Sequence, residues 1–240
     1  MRLDPPDAYW KKDVALFFGK RFALAIKMIY PLAIIVPVAA SGIPARYAAA
    51  VVGIVAIMAG TFGAGESLTS DLNDGILARV ALTPLSPYRV VFEILAVNVV
   101  LDFLQLLPAL LVVYLLHPAS LVWVCAATFA VFATLVAANC IGVFIANFTS
   151  SPADVLLYAT AILFPLIYAS GFFRNANPMG VLAPLRDFVP FAYANDALKT
   201  VFGLTTGTTP LETFIYPTIT CAVLVVLVCL TAPRLLSQRL

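Results

Sequence analysis

The chain has 240 residues, of which 62% are apolar and 11% charged, with a formal net charge of +2 and a mean hydropathy of +1.02. A globular domain carries roughly 25% charged residues, so water could not solvate a surface made from so few charges, and lipid is the solvent for much of this chain. The small net charge and the lack of any basic run interleaved with aromatics exclude a nucleic-acid partner, and the length allows one bundle with short loops and no sizeable soluble domain.

Residues 1–21 read as a cytoplasmic amino-terminal tail holding an amphipathic helix from Asp7 to Arg21. Trp10, Val14, Phe17, Phe18 and Arg21 recur at helical spacing, with Lys12, Asp13 and Lys20 on the other side. Aromatics at headgroup level beside basic residues make a helix lie in the membrane surface, and Trp10, Phe17 and Arg21 are its expected anchors. The plain alternative is a cytoplasmic extension of the first span.

Residues 22–240 read as an all-α transmembrane domain of six spans, since a spanning helix needs about 20 predominantly apolar residues. The runs are Phe22–Ile43, Tyr47–Gly65, Val90–Leu116, Ala119–Asn147, Asp154–Phe173 and Phe214–Ala232. Lys27 interrupts the first near its start, where a long side chain can snorkel. That run is too long, and its charged leader too long, for the core of a cleaved signal peptide. With both termini in the cytoplasm, that side receives Arg2, Lys11, Lys12, Lys20, Arg21, Arg79, Arg89, Arg234 and Arg239. The far side receives only Arg46, Arg174, Arg186 and Lys199, and the excess of cytoplasmic cations favours this orientation.

Between spans two and three, Leu68, Leu72, Ile76 and Val80 stand every fourth residue and would share one helix face. Thr83-Pro84 and Ser86-Pro87 follow, and proline restricts its predecessor and breaks the helical hydrogen-bond ladder. The expectation is one short cytoplasmic helix over Glu66–Leu82 and then a rigid turn. Further on, Asn98, Asp102 and Gln105 lie at i, i+4 and i+7 in span three. A carboxylate at that depth faces a cavity or a partner, so these residues belong either to a translocation route, to an interface, or to polar glue between helices. Pro108 beyond them is a site for a kink. Span four carries Ala126, Ala130, Thr134, Ala138, Gly142 and Ala146, and span two Ala56, Gly60 and Ala64, small residues that let helix backbones approach in lipid.

Cys125, Cys140, Cys221 and Cys229 fall in apolar runs without a CxxC pair, and His117 is the single histidine. A zinc site needs about four clustered ligands, so neither a metal nor a catalytic residue is expected, and the thiols read as apolar fillers.

Asp71, Asp74, Gly75, Ala78 and Arg79 match the start of the metal motif of the CDP-alcohol phosphatidyltransferases, which are also small six-span proteins. The rest of that motif, a glycine and two aspartates at four-residue steps, is replaced here by Tyr88, Phe92 and Ala96, or by Pro87, Val91 and Leu95. Half the carboxylates that would hold Mg²⁺ against a diphosphate are therefore missing, and Pro84 and Pro87 break the helix the motif needs.

A second resemblance covers nearly the whole chain. Asp71, Gly75, Leu77, Arg79, Thr83, Pro84, Leu85 and Ser86, followed far along by Pro190, Tyr193, Ala194, Asp196, Ala197, Leu198 and Lys199, resemble the membrane (permease) subunit of a type-2 ABC exporter. Asp74, and Lys199 in place of arginine, depart from that pattern. The resemblance implies an interfacial helix, a cytoplasmic coupling helix between spans two and three, and short outer helices between spans five and six. It implies an exporter of amphipathic drugs, lipids or glycans in the plasma or inner membrane, working by alternating access with a second permease subunit as a homo- or heterodimer. No Gly-rich loop ending in Gly-Lys-Ser/Thr occurs, so ATP and Mg would be bound by an ABC ATPase subunit supplied in trans. Glu66, Asp71, Asp74, Gly75, Arg79, Thr83 and Pro84 are the implied ATPase-coupling residues, and Tyr193, Asp196 and Lys199 mark the outer segment. A membrane scaffold without transport of its own is the remaining class.

Overall fold

The computed structural model describes residues 10–19, 21–81, 86–173, 186, 188–204 and 206–237. Every regular element among them is helical: α1 (Trp10–Gly19), α2 (Arg21–Ala40), α3 (Ala45–Asn73), α4 (Ile76–Ala81), α5 (Pro87–Leu116), α6 (Leu121–Ala146), α7 (Pro152–Ala169), α8 (Pro190–Val201) and α9 (Pro210–Ser237). By length and apolar character α3, α5, α6, α7 and the Pro210–Thr231 part of α9 can cross a membrane. In α2, the shorter apolar stretch Ala25–Ala40 falls below that length. The expected all-α membrane bundle is therefore present, with five such helices among the described residues.

Local sequence explains where the helices begin. Ser86 and Ser151 stand just before α5 and α7, each followed by proline at the first helical position. Their hydroxyls accept the Arg89 and Asp154 amides at 3.4 and 3.2 Å, satisfying donors that the first turn leaves over. Pro31, Pro37, Pro108 and Pro165 all lie inside helices, as membrane spans tolerate when neighbouring helices satisfy the freed carbonyls.

Helices α3 and α6 form the centre, and their small residues are the reason. A Cβ added at Gly142 would stand 2.3 Å from the Thr61 carbonyl oxygen, and one at Gly60 would stand 2.9 Å from Ala138 Cβ. Backbone lies almost on backbone there, as small-residue packing permits in lipid. Ala56, Ala64, Ala126, Ala130, Ala138 and Ala146 are all fully buried within the chain, so both predicted ridges are used internally. Around this pair, α2, α5, α7, α8 and α9 complete the bundle.

The predicted helix over Glu66–Leu82 requires correction. Span two does not end at Gly65; α3 runs on unbroken to Asn73, and Gly75, at φ +67°, separates it from the six-residue α4. The left-handed conformation costs a residue with a Cβ about 1–2 kcal/mol, which explains the break at a glycine. The apolar stripe survives it, because Leu68, Leu72, Ile76 and Val80 all join one cluster with Leu77, Val90, Val91, Ile94 and Leu95. The predicted turn residues Thr83 and Pro84, with Leu85, lie outside the described residues, as does the stretch 174–185 where short outer helices were expected.

Candidate functional site

Polar and charged side chains gather at three levels. The first is the α3–α4 corner. At about 1.5 Å per residue the 29 residues of α3 make it longer than the ~30 Å hydrocarbon layer, and its last turns lead into this corner. Glu66, Asp74 and Arg79 are exposed there, whereas Asp71 is 7% exposed. The Ser70 hydroxyl reaches Asp74 Oδ2 at 3.5 Å, and the Gly75 amide donates to the Leu72 carbonyl at 3.3 Å.

The turn between α6 and α7 is part of this corner, which the sequence reading missed. Asn73 Nδ2 donates to the Ser150 carbonyl at 3.0 Å, and the hydroxyls of Thr69 and Thr149 meet at 3.4 Å. Ser151-Pro152 with Asp154 was legible as a helix start. Nothing in the pattern tied it to a residue 77 positions earlier.

Among the described side chains of the amino-terminal helix, the two phenylalanines differ in exposure. Phe17 is 9% exposed while Phe18 is 54% exposed, their rings meeting edge-on at 5.2 Å; α1 packs on α2 and α5. Trp10 and Arg21 open α1 and α2 respectively, and their side chains lie outside the described residues.

The second level is the middle of the bundle. Of the predicted trio, Asn98 and Asp102 are buried at 9% and 6% exposure and Gln105 is half-buried. Asn98 Nδ2 turns back to its own helix, donating to the Ile94 carbonyl at 2.9 Å. Asp102 reaches across instead: its Oδ2 accepts from Asn139 Nδ2 of α6 at 3.0 Å. Asp102 Oδ1 stands 3.3 Å from the point where a Cβ on Gly63 would be, so the carboxylate rests on α3. Asn139 went unnoticed because it is one polar letter in the small-residue run of span four.

The third level is α8 with the turn that ends α7. Eleven of its 12 residues are buried, so this short helix sits inside the bundle rather than across it. Arg186 pairs with the buried Asp196, Lys199 Nζ donates to the Gly171 carbonyl at 3.2 Å, and Asn195 Nδ2 approaches the Ser170 carbonyl at 3.5 Å. Burial raises the Asp196 carboxyl, against the opposing pull of Arg186 and Lys199, and burial lowers the Lys199 amine. Tyr193 stacks on Tyr216 of α9 at 5.5 Å. His117 adds a further tie, its Nε2 lying 3.1 Å from the Ala39 carbonyl and its ring 4.6 Å from that of Phe202.

Compared with known proteins, the chain matches the family model described as ABC-2 type transporter over residues 8–202. That stretch runs from just before α1 to the residue that caps α8, and so includes all three polar levels. No curated protein matches the chain.

Proposed function

The chain belongs to the ABC-2 type transporter family, and from that premise we propose that it is the permease subunit of an exporter driven by a separate ATPase. As a member it is a multi-pass membrane transport component, of a kind that lacks an ATP site of its own and works with an ABC ATPase. The match across 8–202 is the observation that carries the reading.

In this reading α2 is the first of six spans, residues 1–21 are the cytoplasmic tail, residues 22–240 the permease domain, and both termini face the cytoplasm. The corner made by the end of α3, the Asp74-Gly75 break and α4 receives the push of the ATPase, with Glu66, Asp71, Asp74, Gly75 and Arg79 at or beside the contact. The described turn supports this. A helix that is longer than the hydrocarbon layer, ends at a glycine and is tied to a neighbouring loop can transmit displacement as a rigid corner. Closure of the ATPase pair around ATP and Mg then biases two permease copies, identical or not, between inward- and outward-facing states. The cargo is an amphipathic drug, lipid or glycan, because the spans offer few charges with which to hold a highly charged one.

The phosphatidyltransferase reading gains nothing from the fold. Its Asp-x-x-Asp-Gly-x-x-Ala-Arg stretch needs one helix, and Gly75 puts Asp71 and Arg79 on two.

Gly75→Pro tests the corner. Proline cannot adopt the φ of +67° found there and has no amide to donate to Leu72. Membrane insertion is expected to persist while ATP turnover by the assembled complex falls at least tenfold. Unchanged turnover in that variant removes the corner from the coupling route.

A further inference from the structure

Asp102 is the sixteenth of the 30 residues of α5, midway along a spanning helix, where an ionisable side chain is costly and marks a partner or a pathway. Among the described residues it has a single hydrogen-bond donor and no ion pair. The donor is Asn139 Nδ2, which reaches Asp102 Oδ2 at 3.0 Å and the Leu135 carbonyl at 2.9 Å. Lys27 of α2 instead places its Nζ 5.8 Å from the centre of the Phe17 ring. Glue between helices does not require a carboxylate here, since an asparagine at 102 would accept the same bond at lower cost.

Acceptors outnumber donors at this level. Asn139 is fully buried, and with both amide protons committed its Oδ1 is left without a partner. A buried polar atom in that condition calls for a water, an ion or a ligand. Asp102 Oδ1 faces α3, 3.3 Å from where a Cβ on Gly63 would stand. Gln105, three residues further along α5 and half-buried, makes no hydrogen bond among the described residues.

The cover over this group is thin on the α2 side. Ile35 and Ala39 of α2 pack into one cluster with Val52 and Val55 of α3 and Leu106 and Leu110 of α5. Before Pro31, however, α2 is exposed at Ala25, Ile26, Lys27, Ile29 and Tyr30. Gly63 is half-buried, and Asp102 keeps 6% of its surface where Asn139 keeps none.

We propose that Asp102, Asn139 and Gln105 form a binding site for an organic ammonium ion. An ammonium brings three donors and one positive charge, the two things that this group of acceptors lacks, and an alkyl tail on it suits the apolar flank beside α2. On the proposed permease reading, on which this step rests, the occupant is the cargo, and the cargo class narrows to singly charged amphipathic amines.

The test compares dodecylammonium, which like lysine stays protonated at pH 7, with dodecanol, which has the same tail and no charge. The melting midpoint of the purified full chain is read with each, in the parent, in Asp102→Asn and in Gln105→Leu. Asp102→Asn keeps the acceptor for Asn139 while removing the carboxylate. Dodecylammonium is expected to raise the parent midpoint by about 3 °C more than dodecanol does, the difference vanishing in Asp102→Asn and shrinking in Gln105→Leu. No difference in the parent, or the same difference in Asp102→Asn, overturns the site and leaves Asn139 Oδ1 to a water. Where Asp102→Asn does not fold, Gln105→Leu decides, and an undiminished difference there overturns the site. With the ATPase present, dodecylammonium is also expected to stimulate ATP turnover at least threefold in the parent. Specific binding by a chain that no ATPase accompanies leaves the site standing and removes the cargo reading together with the permease reading. An ATPase-bound chain without that binding removes the site alone.

Discussion

Phe172 lies with its ring edge against Gly53: a Cβ at Gly53 would stand 2.2 Å from Phe172 Cε1. Phe172 is 1% exposed and belongs to the turn that follows α7, so the missing side chain on α3 is what lets that turn seat on the bundle. Gly53→Ala is expected to lower stability by about 1–3 kcal/mol through overpacking, and Phe172→Ala by roughly 3–5 kcal/mol through the cavity it leaves. Thermal unfolding in detergent measures both. Phe172→Leu added to Gly53→Ala is expected to recover part of the loss, since the smaller side chain vacates the space.

Gly142→Ala is a harsher change than Gly53→Ala. Its new methyl would meet the Thr61 carbonyl oxygen at 2.3 Å, and a backbone oxygen cannot swing aside as a ring can. Relief requires α3 and α6 to part along their length, so the loss is expected to exceed about 3 kcal/mol, the upper end for overpacking by one methyl. A melting midpoint for Gly142→Ala no lower than that for Gly53→Ala contradicts the ranking.

The small-residue ladders of spans two and four show what was legible in the sequence. Their spacing implied close packing, because in lipid only small side chains permit it, and the two ridges indeed meet. The helix over Glu66–Leu82 failed for a different reason. Apolar residues at four-residue intervals on both sides of Gly75 looked like one helix, and a left-handed break that returns the chain to the same cluster leaves that periodicity intact. Asp102 was visible as an anomaly in an apolar run. Its partner Asn139, 37 positions away, was not, since a contact between distant helices leaves no local pattern. The same holds for Asn73 and Ser150, whereas Arg186 and Asp196 are near in sequence but separated by a turn that periodicity does not describe.

Arg186 and Asp196 are predicted to be coupled. Removing the cation alone, as Arg186→Gln, strands a carboxylate that is buried in α8, and breaking a buried pair in this way costs about 3–5 kcal/mol. Replacing both, as Arg186→Gln with Asp196→Asn, is expected to restore most of the loss because no uncompensated charge remains. Thermal unfolding of the two single variants and the double variant reads the coupling directly. Additive losses mean that Asp196 draws its compensation from Lys199 instead.

The proposed function rests on an energy source that is not in this chain, and extraction in a mild detergent from native membranes, followed by measurement of ATP hydrolysis, tests it most directly. The account predicts that an ABC ATPase subunit accompanies the chain, that the material hydrolyses ATP, and that Gly75→Pro lowers the rate at least tenfold while the chain still inserts. Recovery of the intact chain without an ATPase, and with no ATP hydrolysis above that of membranes lacking it, contradicts the account.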